Sequence, residues 1–372
     1  MCKLKDVHRY SVFQRYFLPG IIFQSVLIGG AYSTGREIVE FGAKFGRYGL
    51  WSILWVLLLF SLISGITYEF ARVTNSQDYR TFIRHLIGPF WPVFDVLFCT
   101  MAVITIAVVG SASGSVVERV LGWPYWLGVF LVIAVAGGVM MGGRQVIERF
   151  KTTGSLLLYG GYLLFSYNIL STRWNNVIEA LALEPTQSAS TAATTGILYV
   201  GYNLAGLPAV FFVLGRIEKR SESAWAGIIT GVLSTIPFLL TYLCIMAFYP
   251  SPEVLNTAVP WLTMLDRSSG PMILTLYGFV IFWTLIETSV GMTHAIIDRI
   301  SAQLKDLGRN PLTPVQAAMT STLILSLAAF FSQFGIIALV SKGYGIMAYG
   351  FLILFALPLL TIGVWTILQN RT

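Results

Sequence analysis

A helix that crosses a membrane is held to unbroken hydrogen bonding, because the hydrocarbon offers its backbone no water. The stretch IIFQSVLIGGAYSTGRE, from Ile21 to Glu37, departs from that rule. It runs apolar as far as Ile28, sets Gly29 beside Gly30, and adds a third glycine at Gly35. Two hydroxyls, Ser33 and Thr34, lie between, and the charges of Arg36 and Glu37 follow. Glycine in a helix interior costs about 1 kcal/mol relative to alanine. Non-helical backbone at membrane depth is tolerated only where it meets protein or a water-filled cavity. The pattern predicts a deliberate break in a transmembrane helix, with the break as a binding site.

The remainder of the chain is built for a bilayer. Of its 372 residues, 56% are hydrophobic and 11% charged, with a mean hydropathy of +0.74; a soluble domain carries about 25% charged residues. The formal charge of +7 is dispersed through short connectors without a contiguous basic face. That dispersal fits topology signalling and excludes nucleic acid as the partner. Cys2, Cys99 and Cys244 are scattered, without disulfide or metal spacing. The basic start, Met1 to Arg15, leads into an apolar run with no convincing small-residue cleavage site, so a retained first span is expected.

A span needs about 20 mostly apolar residues. On that rule ten are expected, at 16–43, 48–71, 91–117, 124–141, 153–171, 195–215, 224–249, 270–299, 314–331 and 335–367. With the N-terminus cytoplasmic, inside segments carry seventeen Lys and Arg and outside segments five, leaving Arg36 and Lys342 within spans. The bias predicts cytoplasmic N- and C-termini. Trp51, Trp123, Trp126, Trp174 and Trp365 fall near span ends, where indoles favour the interface. The outer connector Tyr249–Ser269 is apolar enough for a short amphipathic helix.

A second outer connector, 172–194, divides the chain into halves of five spans, 1–171 and 195–372. Five is odd, so the second half enters the membrane inverted, as in transporters built from inverted repeats. Span 6 should then be broken like span 1. Its centre holds Gly201, Tyr202, Asn203, Gly206 and Pro208, and proline removes a helical hydrogen bond. Paired interruptions in corresponding helices are the sequence pointer to a transporter site. The expected fold is therefore an all-α polytopic membrane protein of ten helices, a 5+5 inverted repeat with helices 1 and 6 broken. The substrate residues expected at the breaks are Gly30, Ala31, Ser33, Thr34, Gly35, Tyr202, Asn203 and Gly206.

On these residues the chain resembles the LeuT-fold transporters of the amino acid–polyamine–organocation superfamily. The Gly29–Glu37 segment also resembles that of YkvI-like bacterial membrane proteins. In sodium-coupled members of the fold, an ion sits between backbone carbonyls at the helix 1 break and a hydroxyl pair on helix 8. The resemblance implies a Na+ site here at the carbonyls of Gly29 and Tyr32 and the hydroxyls of adjacent Thr288 and Ser289, and no other cofactor. Arg36, Glu37 and Glu40 after the break are not a general feature of the fold.

Each feature has a plainer reading. Glycines let membrane helices approach closely, the reading preferred for Gly110–Gly114 in span 3. Thr288 and Ser289 can bond back to their own helix. Arg36 and Glu40 sit four apart, as a structural pair or as an outer gate with Lys342 as a partner. Intramembrane ionisable groups are expensive to bury, which makes Glu37 and Glu287 candidates for gating or coupling. Glu287 and His294 share a helix face, where a structural contact is preferred to a proton relay. Tyr32, Tyr199, Tyr202, Phe279 and Trp283 are candidate pocket aromatics.

The expected function is secondary active transport of a small amino-acid-like or organic amine solute, coupled to sodium by alternating access. The alternative is a proton-coupled transporter or exchanger using Glu37, Glu287 or Lys151. The chain carries neither a P-loop nor His-Glu-x-x-His, against an intramembrane enzyme, and no repeated pore motif or charged ring of a channel is visible.

Overall fold

The computed structural model describes residues 10–141, 144–185 and 187–370, with side chains except at 144–156 and 314. The described residues form helices and connectors, without a strand. In chain order the α-helices are α1 Leu18–Leu27, α2 Ala31–Thr34, α3 Arg36–Phe41, α4 Gly49–Val73, α5 Tyr79–Ile87, α6 Trp91–Leu121 and α7 Tyr125–Met141. They continue as α8 Arg144–Ala182, α9 Ala189–Asn203, α10 Phe211–Leu214, α11 Arg220–Met246, α12 Pro252–Leu255, α13 Pro260–Ser268, α14 Pro271–Asp306 and α15 Pro314–Ser332. The last helix, α16, runs from Ile336 to Gln369.

Local chemistry sets many of the boundaries. Asp78 caps α5 by accepting the Thr81 amide at 2.9 Å, and Ser188 caps α9 through Thr191. Thr313 and Gln316 cap α15 reciprocally, with Pro314 in its first turn.

Seven stretches among the described residues are long and apolar enough to cross a membrane, and the protein is an integral membrane protein. The three other expected spans are not among these seven. The first is divided into α1, α2 and α3; α7 has 17 residues; and 153–171 lies inside the 39-residue α8. The expected connector 172–194 is mostly helical. α8 continues to Ala182 past a non-helical Arg173, and α9 begins at Ala189. The Tyr249–Ser269 connector holds α12 and α13, the second burying Trp261, Leu262 and Leu265.

Small residues let the central helices close on one another. α4 packs along α11, where a Cβ added at Gly227 would lie 2.4 Å from the Gly65 Cα and one at Gly231 would lie 2.0 Å from Ser61 Oγ. α6 packs against α14, and α1 against the Leu204–Val210 segment. These contacts join helices that hold equivalent places in the expected repeat. The Gly110–Gly114 run is indeed an interface: Ser113 donates to the Gly128 carbonyl of α7 at 2.6 Å, and Gly114 meets the Tyr125 ring.

Candidate functional site

The helix break falls at the glycines. After α1 the chain turns through Gly30 (φ 53°, ψ −124°), makes the single turn α2, turns again through Gly35 (φ 82°, ψ −5°), and resumes as α3. Positive φ is readily adopted only by glycine, so these two residues set the geometry of the site. The counterpart in the second half is a tightened stretch, Leu204–Val210, with 3₁₀ character and containing Pro208. It packs against α1, with Gly206 facing Phe23 and Val26.

α14 passes the break. The Gly30 amide donates to Thr288 Oγ1 at 2.9 Å, and that hydroxyl donates to the Thr284 carbonyl at 3.0 Å. A Cβ added at Gly29 would lie 2.7 Å from the same oxygen. Of the four groups expected to hold an ion, Gly29 and Thr288 are thus in direct contact. The Gly29 carbonyl accepts from the Tyr32 amide, and the Tyr32 carbonyl accepts from Gly35, in each case leaving a second lone pair. Ser289 is fully buried, and its Oγ has no hydrogen-bond partner among the described residues.

Two adjoining cavities open at the break. The larger, about 510 Å³, begins at Gly29, Gly206 and Thr288 and follows one face of α14 through Glu287, Gly291, Ala295 and Arg299 to Ala302. The smaller, about 50 Å³, is lined by Glu37, Tyr202, Asn203, Tyr344, Met101 and Met292 among others. Glu37 is buried there and accepts the Tyr202 hydroxyl on Oε2 at 2.5 Å.

The other end of the site is shut. Trp261 lies on Gly35 and meets the Tyr162 ring edge-on at 5.2 Å, while Tyr277 donates to the Ser33 carbonyl at 3.1 Å. Arg36 reaches the connector, donating to the carbonyls of Leu255 (2.5 Å) and Thr257 (3.2 Å) and pairing with Glu40 at 3.3 Å. Tyr277 and Arg299 are 22 residues apart on α14, about 33 Å along its axis, so seal and cavity mouth lie at opposite ends.

Of the expected substrate residues, Ala31, Tyr202, Asn203 and Gly206 line these cavities, joined by Gly29, Glu37, Glu287 and Thr288. Gly30, Ser33, Thr34 and Gly35 line neither. Ser33 donates to Gly30 O at 2.7 Å and Thr34 to Ala31 O at 2.5 Å, so both hydroxyls serve the short α2 turn itself. Lys342 is not the partner of Glu40: it is exposed, and Lys44, one turn beyond Glu40 on the same strand of chain, takes that place. Phe279 is 55% exposed and stands outside the pocket. His294 pairs with Asp298 at 2.8 Å. The Lys151 side chain lies outside the described residues. Phe98, Met101, Thr105 and Tyr344 line the small cavity without having been expected. They come from α6 and α16, and no local pattern in the sequence marks them.

The mouth of the large cavity is bordered by an ion-pair network. Asp95 lies 3.5 Å from both Arg80 and Arg299, Asp306 takes Arg80 and Arg84 at 2.7 and 3.0 Å, and the Arg299 guanidinium lies over the rings of Phe98 and Tyr79.

This fold, with its broken first helix beside a hydroxyl-bearing α14, is that of secondary transporters. A Na+-coupled sialic acid symporter in a substrate-bound outward-open state is similar with a TM-score of 0.62 at 13% identity, over 92% of this chain and 78% of that one. Two structures of the Eremococcus coleocola manganese transporter give 0.55 and 0.51 at 16% and 15% identity, over 96% and 94% of this chain and 78% and 77% of theirs. In sequence the chain is 22% identical over 332 residues to the uncharacterized membrane protein YkvI of Bacillus subtilis (strain 168), covering 88% of this chain and 90% of that protein. No protein-family model matches.

Proposed function

We propose that the protein is a secondary active transporter that moves a small amino-acid-like or organic amine solute across the bacterial inner membrane, in symport with Na+. The observation that carries this reading is the asymmetry of the central site. A cavity of about 510 Å³ runs from the helix break to the Arg299 end of α14, while Trp261, Tyr277 and Arg36 close the opposite end. One site open to one side at a time is the geometry of alternating access. With cytoplasmic termini, as the Lys and Arg distribution favours, the open side is the cytoplasm and the seal is external.

Gly29, Tyr32, Thr288 and Ser289 are the proposed ion ligands. The reading is supported by the Thr288 contact with the break and by the buried Ser289 hydroxyl, whose oxygen lacks a partner among the described residues. Hard cations take oxygen ligands, and the Na+-coupled neighbour has the same fold. Proton coupling is the second reading, favoured by one observation: Glu37 is a carboxylate buried in the smaller cavity.

The test is uptake into proteoliposomes of the purified chain. Sodium symport requires accumulation that follows an imposed Na+ gradient and collapses with it. Accumulation driven by a pH gradient in sodium-free buffer would transfer the coupling to the proton. Flux of solute indifferent to every imposed gradient would overturn secondary active transport.

A further inference from the structure

Arg299 is charged, buried and short of hydrogen bonds. It is 8% exposed, and its Nε and Nη2 have no hydrogen-bond partner among the described residues. The ring centres of Phe98 and Tyr79 lie 3.3 and 4.3 Å from its central carbon. Such contacts answer its charge but not its N–H groups, which donate in the guanidinium plane. Asp95 is 3.5 Å from Nε, close enough for an ion pair but longer than a good hydrogen bond. Nε and Nη2 form one edge of the guanidinium, and such an edge takes the two oxygens of a carboxylate or phosphate together. Buried donors left unmet cost free energy, so this edge is open to an acceptor from outside the chain.

The larger cavity leads to it. Arg299 and Tyr79 both line that cavity, and the Tyr79 hydroxyl is a further buried donor without a partner among the described residues. Arg299 is 11 residues from Thr288 on α14, about 16 Å along the helix, so a ligand here stands apart from the break. The surroundings limit its kind. Phe98, Met292, Ala295 and Ala302 make the adjoining wall mostly apolar. Two other charged residues line the cavity: Asp298, 66% exposed and paired with His294, and Glu287, about 18 Å along the helix from Arg299. The acids nearest the fork, Asp95 and Asp298, disfavour a doubly charged anion. A single negative charge on an apolar body suits both the fork and the wall. Asp95 can also yield, because it stays 3.5 Å from Arg80 when Arg299 takes another partner.

We propose that the open end of the larger cavity binds a small monocarboxylate, held by the Nε–Nη2 edge of Arg299 and the Tyr79 hydroxyl, and that this ligand obstructs the path to the break. The site goes beyond the transporter reading above, and its readouts are binding and access, not flux.

The experiment uses the full chain in nanodiscs, unfolded thermally with benzoate and propionate, with their neutral amides benzamide and propionamide, and with inorganic phosphate. Ligands that bind the folded state raise its stability with concentration. Both carboxylates should protect saturably, the amides should not, and phosphate should protect less than benzoate. Arg299→Lys keeps a charge but loses the fork, and should weaken carboxylate protection about tenfold. Asp95→Asn separates a ligand site from a plain ion-pair network. With that competitor gone, Arg299 should bind benzoate severalfold more tightly, even though the unliganded variant is less stable. Access is read from Ala295→Cys, one helical turn nearer the break, in a chain with Cys2, Cys99 and Cys244 replaced. Benzoate should slow its reaction with a maleimide severalfold, and benzamide should not. Amides protecting as well as acids, neither acid protecting at millimolar concentration, phosphate protecting more than benzoate, or benzoate protection unchanged in Arg299→Lys would each overturn the site. If Arg299→Lys does not fold, benzoate binding no tighter in Asp95→Asn than in the native chain counts against it in the same way. Labelling of Ala295→Cys indifferent to benzoate would overturn the obstruction of the path.

Discussion

Thr288 accepts the Gly30 amide at 2.9 Å across 258 positions of sequence, and so pins the helix break to α14. Beside it in sequence, Ser289 is fully buried with a hydroxyl that finds no partner among the described residues. Two adjacent hydroxyls on one helix thus stand in opposite states, and substituting them should give opposite results.

Thr288→Val leaves the Gly30 amide without its acceptor. A buried donor stripped of its partner costs about 1–3 kcal/mol, so thermal unfolding in sodium-free buffer should show a clear loss of stability. Ser289→Ala deletes an unsatisfied group and should be neutral or slightly stabilising under the same conditions. On the proposed ion site, the native chain should gain stability when Na+ is added and Ser289→Ala should not. A sodium-dependent rise in unfolding temperature that persists in Ser289→Ala would remove Ser289 from the ion site.

Gly30 and Gly35 allow a second comparison. Gly30 sits at φ 53°, ψ −124°, a region closed to side chains, and Gly35 at φ 82°, ψ −5°, where other residues fit at a cost. Gly35→Ala carries about 1–2 kcal/mol for a left-handed residue, together with the approach of a new Cβ to 2.9 Å from Trp261 Cδ1. Gly30→Ala should be the more damaging change, although its new Cβ meets methyl groups no nearer than 3.3 Å. Unfolding temperatures that ranked the two by steric contact instead of backbone angle would contradict this.

The break itself was legible in the sequence because its cause is local. Two glycines at positive φ and the hydroxyls of the turn between them lie within a few residues of one another, and the interruptions from Gly201 to Pro208 are just as local to their own segment. The partners of these segments were not legible. Glu37 and Tyr202 are 165 positions apart, and nothing near either announces the other. Tyr344 and Met101 enter the site because α16 and α6 happen to turn those faces inward, a matter of helix rotation that a uniformly apolar pattern leaves open. Lys342 was a candidate partner for an outer gate with Arg36 and Glu40; it is exposed here, and Glu40 pairs with Arg36 and Lys44, each one turn away.

Asp95 is the shared acid at the mouth of the larger cavity, 3.5 Å from both Arg80 and Arg299. Arg80 keeps Asp306 as a second partner, whereas the described ion pairs give Arg299 none but Asp95. Asp95→Asn should therefore strand a largely buried guanidinium, at about 3 kcal/mol, read as a lowered unfolding temperature. Asp306→Asn should cost far less, since that carboxylate is 41% exposed and exposed pairs contribute about 0–1 kcal/mol. Equal losses in the two variants would show that the network is merely a surface one.

Arg36 ties the opposite end of the site to the connector. Its guanidinium spans from α3 to the carbonyls of Leu255 and Thr257, and the same connector places Trp261 over Gly35. Arg119 of α6 grips the connector independently, through Thr257 Oγ1 at 3.2 Å and Thr263 Oγ1 at 2.8 Å. Removing Arg36 should accordingly loosen the seal without detaching the connector. Ser33, 3% exposed beneath Trp261 and Tyr277, reports on it. With Cys2, Cys99 and Cys244 replaced, Ser33→Cys should resist a membrane-impermeant maleimide added from the sealed side, and should be labelled severalfold faster once Arg36→Ala is added. Arg36→Lys keeps the charge but lacks the fork that reaches two carbonyls at once, and should fall between. Labelling that is already fast with Arg36 in place would mean that the connector does not close the site, and labelling unmoved by Arg36→Ala would leave closure to Trp261 and Tyr277 alone.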